Sequence, residues 1–190
     1  MIKQILDLIF PRFGTKFEDT YLGDLSQFKS FWKDDTFVCG KYFLLKNFVH
    51  RAKFDGEFSI AQEFADLIIL QTKNLEKPHL ITFVPPDPKR FSQRGYHLPQ
   101  KIAQSLSKKL SIPFEEICTK IKHTATQVGL NKQARIENLK QVFEAKKTDQ
   151  KIIWLIDDVV TTGTTLSEVE KAILLTNPNS QVVKIVVTSG

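Results

Sequence analysis

Residues 152–165 read Ile-Ile-Trp-Leu-Ile-Asp-Asp-Val-Val-Thr-Thr-Gly-Thr-Thr, and few architectures accept such a run. The apolar stretch from Ile152 to Ile156 suits a strand buried on both faces, as in a parallel sheet. A strand over residues 151–157 would end at Asp157 and Asp158, on the edge where open α/β sheets bind ligands. Gly163 allows close approach of the backbone to an anion. Thr161, Thr162, Thr164 and Thr165 surround it with hydroxyls and N–H groups. Residues 164–175 place Leu166, Val169, Ala172 and Ile173 on one face, which predicts a helix whose positive end meets the same point. A solvated turn with Asp158 or Thr161 as helix cap is the plainer reading. A cap does not need two carboxylates beside four threonines and a glycine.

The rest of the chain alternates in the same way. Helices are expected over residues 2–10 (stopped by Pro11), 43–54, 57–72, 99–110 and 133–141. The helix 57–72 carries Ile60, Ala61, Phe64, Leu67 and Ile68 on one face. Strands are expected over 80–84, closed by Pro85 and Pro86, over 116–121, and over 181–188, with a brief extended piece at 142–143. Residues 14–40 read as irregular and 122–132 as a loop. Strands alternating with helices imply an α/β fold, a mostly parallel sheet of about five strands flanked by helices. The expected division is an aromatic-rich N-terminal hood over residues 1–45 and a main domain over 46–190.

A chain of 190 residues buries a sizeable core without disulfides. Eleven of its 15 phenylalanines lie within residues 10–64, which predicts an aromatic cluster packing the N-terminal segment on the sheet. The net charge of +6 is uneven: residues 89–151 hold 14 Lys and Arg against 5 acids. That surplus suits a phosphorylated sugar or single-stranded nucleic acid. Cys39 and Cys118 make no CxxC pair and no disulfide framework, which fits a reduced compartment. The apolar start is too short for a signal peptide, and no run has the length of a membrane span. The expectation is a cytoplasmic protein without membrane contact. His50, His79, His97 and His123 show no metal-ligand spacing, and neither a GxSxG elbow nor a GxxxxGK[ST] loop is present.

Two further segments carry chemistry. Residues 84–97 run from a strand through a rigid proline turn into Lys89, Arg90 and Arg94; at a strand's C-terminal end, Arg90 and Arg94 can grip pyrophosphate, although a basic solvated loop has the same composition. Residues 120–139 are small and polar, as a closing lid requires, with Thr126 and Gln127 in the loop and Arg135 and Asn138 three apart on one helix face.

The segment at residues 152–165 resembles the phosphoribosyl diphosphate (PRPP) motif of type I phosphoribosyltransferases. The order RxxxRG, then TxxQxxLxxxxRxxN, then that motif is similar to the competence ComF (GntX-like) branch, over roughly residues 40–190. The resemblance implies that Asp157 and Asp158 hold the ribose 2′- and 3′-hydroxyls. It implies that Thr161, Thr162, Gly163, Thr164 and Thr165 wrap the 5′-phosphate, with Asp157, Asp158 and Arg135 as the catalytic set. Magnesium would be held through PRPP, near Asp157 and Asp158, without a direct protein ligand. The implied activity is phosphoribosyl transfer, with the acceptor left open between ammonia, a nucleobase or none. The alternative is a non-enzymatic PRPP- or nucleotide-binding component of a single-stranded DNA uptake or processing complex, beside a helicase-like ATPase. Two departures stand out. The branch often begins with a zinc module of paired CxxC motifs, whereas residues 11–16 contain no cysteine, so no structural zinc is expected. His97 and Leu98 stand where the branch usually shows Asn and Gln, and His97 reads as a surface or capping residue.

Overall fold

The computed structural model describes residues 22–87, 91, 95–121 and 142–190. Five strands form the main sheet: β1 (Phe31–Lys33), β2 (Thr36–Lys41), β3 (Leu80–Phe83), β6 (Ile152–Val160) and β7 (Gln181–Ser189). Their order is β1-β2-β7-β6-β3. The pairs β2–β7, β7–β6 and β6–β3 are parallel; only β1 runs antiparallel, on β2. A second, two-stranded antiparallel sheet joins β4 (Cys118–Lys120) to β5 (Phe143–Ala145). Four helices complete the described fold: α1 (Tyr42–Phe54), α2 (Ile60–Gln71), α3 (Leu98–Leu110) and α4 (Thr164–Thr176). This is the expected α/β architecture, a parallel sheet covered by helices. No helix among the described residues is long and apolar enough to cross a membrane.

The alternation of side chains along β6 shows why both faces need cover. Ile152, Trp154 and Ile156 enter one core with Ile60, Phe64, Ile68, Ile102 and Leu106 of α2 and α3. Ile153 and Leu155 enter a second core with Leu166, Val169 and Ile173 of α4 and with Cys118 and Phe143 of the small sheet. A strand read with period 2 therefore feeds two apolar layers, the hallmark of a central parallel strand. At about 25 cal/mol per Å² of apolar surface, the two layers supply the main favourable term of folding.

Several expectations need correction. Residues 14–40, read as irregular, contain the β1–β2 hairpin, and β2 pairs directly with β7 inside the main sheet. Its two-residue turn uses Asp34 at φ 53, a left-handed conformation that Asp tolerates better than most residues. The run Phe37, Val38, Cys39 is too short to show a period, yet all three are buried. Strand β6 continues past residue 157 to Val160, because β7 goes on pairing with it as far as Ser189. The aromatic cluster is only partial: Phe28, Phe37 and Phe64 are core, whereas Phe43, Phe54 and Phe58 are exposed. Expectations for residues 2–10, for the aromatic residues before residue 22 and for the helix over 133–141 lie outside the described residues.

One buried charge group braces the sheet. Lys184 of β7 is 2% exposed, and its ammonium donates to Asp35 in the hairpin turn and, at 2.6 Å, to Glu170 of α4. Burial pulls the Lys184 pKa down, but the two hydrogen bonds and the carboxylate charges outweigh it and leave the pKa raised.

Candidate functional site

The C-terminal ends of β2, β3 and β6 open on one cavity of about 1000 Å³. Its walls come from α1, from the turn after β3, from residues 96–99 at the start of α3, and from the end of β6 with Thr161 and Thr165. Both carboxylates of the sequence motif line it. Continuing the β6 alternation past Ile156 sends Asp158 to the α1 side. There Lys53, in the last turn of α1, donates to Asp158 Oδ1 at 2.6 Å. The two side chains are 21% and 9% exposed, so this is a mostly buried ion pair. Asp157 Oδ1 accepts the backbone N–H of Asp158 at 2.8 Å. Burial first, and the neighbouring Asp158 charge second, push the Asp157 pKa well above the usual carboxylate range; the Asp158 N–H and Lys53 offset this in part. A carboxylate at the end of a strand ordinarily reaches solvent. Asp158 is instead 6% exposed, because β6 runs on beyond it beneath the helices.

The threonine loop has the expected form. Gly163 sits at φ 75 and is the residue before the first turn of α4, where a side chain would strain the backbone. Thr161, Thr162, Thr164 and Thr165 are all exposed, and the hydroxyls of Thr162 and Thr164 lie 3.0 Å apart. Thr161 before Gly163 and Thr165 in the first turn of the 13-residue helix line the cavity, and the N-terminal end of a helix favours negative charge. Lys33 of β1 donates to the Thr161 carbonyl at 3.0 Å, which brings a cation to the loop from the N-terminal hairpin.

The turn after β3 is equally well held. His97 Nε2 donates to the Val84 carbonyl at 2.7 Å, and its ring packs on Phe83. Burial lowers the His97 pKa, and the bond to the Val84 carbonyl offsets this only in part. His97 occupies the position before α3, but its side chain makes no cap; it ties that helix to the end of β3. Lys120 of β4 pairs with Asp87 at 2.8 Å across the same side of the cavity. Tyr96 also lines the cavity, with its ring against Phe58 at 4.4 Å.

The structure therefore brings together Asp157, Asp158 and the loop Thr161, Thr162, Gly163, Thr164 and Thr165. Arg90 and Arg94, and Thr126, Gln127, Arg135 and Asn138, lie outside the described residues. Sequence reasoning missed Lys53, Lys33 and Tyr96. The first two act across 105 and 128 residues, and nothing in their neighbourhood marks them. Among the described residues no cluster of three or more His, Cys, Asp or Glu side chains could hold a metal ion.

The fold is an open α/β sheet, with the threonine loop and the acidic pair at the C-terminal edge of its parallel strands, the edge where folds of this class bind ligands. No family model matches the chain. It is 35% identical over 150 residues to competence protein F of Haemophilus influenzae, covering 73% of this chain and 66% of that protein. It is 32% identical over 138 residues to the DNA utilization protein YhgH of Escherichia coli, covering 68% and 61%. To competence protein ComFC of Streptococcus pneumoniae it is 28% identical over 128 residues, covering 67% and 56%. The chain belongs to the competence protein F (ComF) family, and it spans just under two thirds of the length of these relatives. Among solved structures it is similar to the glutamine PRPP amidotransferase of B. subtilis, with a TM-score of 0.46 at 12% identity over 70% of this chain and 26% of that one. It is also similar to Leishmania donovani UMP synthase, with a TM-score of 0.42 at 16% identity over 77% and 24%.

Proposed function

We propose that this chain binds PRPP and transfers its phosphoribosyl group to an acceptor with release of pyrophosphate. One observation carries the reading: an acidic pair and an exposed anion loop converge on a single cavity at the sheet's C-terminal edge. In this reading the 5′-phosphate takes the N–H groups and hydroxyls of residues 161–165, where the helix end favours an anion. The ribose hydroxyls donate to Asp157 and Asp158. Arg90 and Arg94 neutralise the pyrophosphate, and Arg135 belongs to the same catalytic set. The bond from C1 to the pyrophosphate oxygen breaks, and its electron pair leaves with pyrophosphate. A lone pair of the acceptor forms the new bond at C1, and the acceptor's proton passes to solvent. The transition state is a ribose cation, so the protein's task is positioning, charge balance and exclusion of water.

Magnesium fits this donor set. The hard oxygens of two carboxylates sit together, with Lys53 paired to one of them, and burial followed by the Asp158 charge holds the Asp157 pKa up, which a bound cation would relieve. Bound through the pyrophosphate and ribose oxygens, the ion would neutralise the leaving group. The residues of this chain would orient the sugar beneath it.

A second reading rests on a different observation. Tyr42, Phe54 and Phe91 line the cavity with rings 45%, 52% and 41% exposed, among Lys46, Lys53 and Lys120. Exposed rings among cations suit stacking of bases in a single strand. The names of the relatives, competence and DNA utilization proteins, agree with that setting. Under it the chain is a non-enzymatic nucleotide- or DNA-binding component, partnered by a helicase-like ATPase. Pyrophosphate release from PRPP across a panel of ammonia and nucleobases, set against single-stranded DNA binding at physiological salt, separates the two. Release with any acceptor supports transfer; DNA binding without PRPP binding overturns it.

A further inference from the structure

Tyr96 carries a polar group without a partner among the described residues. The residue is 9% exposed, and its hydroxyl is buried without a hydrogen-bond partner among the described residues. Such a group costs about 1–3 kcal/mol of desolvation. The position is nevertheless tightly held. Phe58 packs on the ring at 4.4 Å. On one side Gly95 donates to the Phe91 carbonyl at 2.8 Å; on the other His97 is fastened to Val84. Tyr96 lines the same cavity as Asp158 and Lys53. The hydroxyl lies near enough to Asp158 for that charge to add to burial in raising the tyrosine pKa.

We propose that the Tyr96 hydroxyl is a positioning and specificity group that donates a hydrogen bond to a sugar hydroxyl seated against Asp158. This rests on the phosphoribosyl reading above and names a residue which that reading does not use. The argument is one of donor and acceptor balance. Asp158 accepts, whereas Lys53 and Tyr96 donate, so a ligand atom shared among them must both give and take a proton. A hydroxyl does both. A carbonyl or phosphate oxygen only accepts, and a phosphate would also be repelled by the carboxylate. Binding a ribose hydroxyl would satisfy the orphan group, and a ligand lacking that hydroxyl would leave it unpaired. Discrimination between ribose and deoxyribose ligands follows.

The test is Tyr96→Phe, which removes one oxygen from an otherwise intact ring. Calorimetry would use PRPP with magnesium, then ribose 5-phosphate and its 2-deoxy and 3-deoxy analogues, on wild type and variant, with melting curves of both. The expected result is a variant that melts at or above the wild-type temperature yet binds PRPP and ribose 5-phosphate about tenfold more weakly, the loss of one hydrogen bond of ~1.4 kcal/mol. That loss should vanish for one of the two deoxy sugars and so identify the hydroxyl contacted. Three results overturn the proposal: equal affinity of variant and wild type, the same loss for all four ligands, or a lower melting temperature with a general loss of binding. If wild type binds none of the ligands, the acidic-pair reading fails as well, and that outcome is distinct from a wild type that binds and a variant that binds equally.

Discussion

Two groups of three charges stand on neighbouring strands of the sheet, each made of one lysine and two carboxylates, and they are built in opposite senses. Around Lys184 the cation is the buried member. Asp35 is 69% exposed and Glu170 22%, so water takes up the surplus negative charge. In the cavity the carboxylate is the more buried member of the ion pair: the Asp158 side chain is 9% exposed and that of Lys53 21%. The consequence shows in the protonation equilibria. The Lys184 hydrogen bond holds Asp35 below its usual pKa, whereas burial and Asp158 hold Asp157 above its own. Equal charge counts thus give a satisfied brace in one place and, among the described residues, a carboxylate pair with its negative charge partly uncompensated in the other. The difference sets the two groups apart better than residue type does, since buried charge is stable only when fully compensated.

The largest expected effect tests that contrast directly. Lys53→Met leaves Asp158 buried beside Asp157 without its cation and should cost about 3–5 kcal/mol in urea unfolding, the usual penalty for breaking a buried pair. Lys184→Met leaves carboxylates that water can reach and should cost under about 2 kcal/mol. A greater loss in the Lys184 variant would break the comparison.

The next effect is on binding. Asp157→Asn should weaken PRPP affinity by about 1.5–3 kcal/mol by calorimetry, as for a lost charge-assisted hydrogen bond. Glu170→Gln should leave affinity unchanged, since Glu170 serves the brace. Equal losses in both would show that the acidic pair has no special role.

The smallest effect sharpens the electrostatics. Asp157 has a folded pKa above its unfolded value. At low pH both states hold the proton and the penalty is absent. As pH rises above the ordinary carboxylate range the unfolded chain ionises first, and wild-type stability falls until the raised pKa is passed. Asp157→Asn cannot ionise, so it should match wild type near pH 3 and exceed it near pH 8, by on the order of 1 kcal/mol. Thermal unfolding at the two pH values checks the sign. A variant gaining nothing at pH 8 would mean that Lys53 balances the pair in full. Changes in the pair should therefore alter stability as well as binding, because Asp158 is buried and ion-paired.

Much of the sheet and helix pattern was legible where periodicity was long. The helix carrying Ile60, Phe64 and Ile68 and the helix carrying Ile102 and Leu106 bury those faces. Short apolar pieces were not legible. The run Phe37, Val38 and Cys39 fits a strand or a loop equally well until β7 supplies a partner for its backbone. His97 looked like a cap; only the folded chain brings the Val84 carbonyl to its ring.

By itself the sequence determined the contiguous part of the site: the apolar strand, the two carboxylates, the threonine loop with Gly163 and the helix after it. Those features lie within about a dozen residues, so backbone geometry and side-chain alternation carry them without help from the rest of the chain. Only the tertiary structure decided which charges are buried and what meets them. Lys53 reaches Asp158 across 105 residues, Lys184 reaches Asp35 across 149, and the Tyr96 hydroxyl is orphaned by the packing around it. Burial is a property of surroundings, not of a residue, and desolvation sets the cost of every unpaired charge and hydroxyl in the cavity.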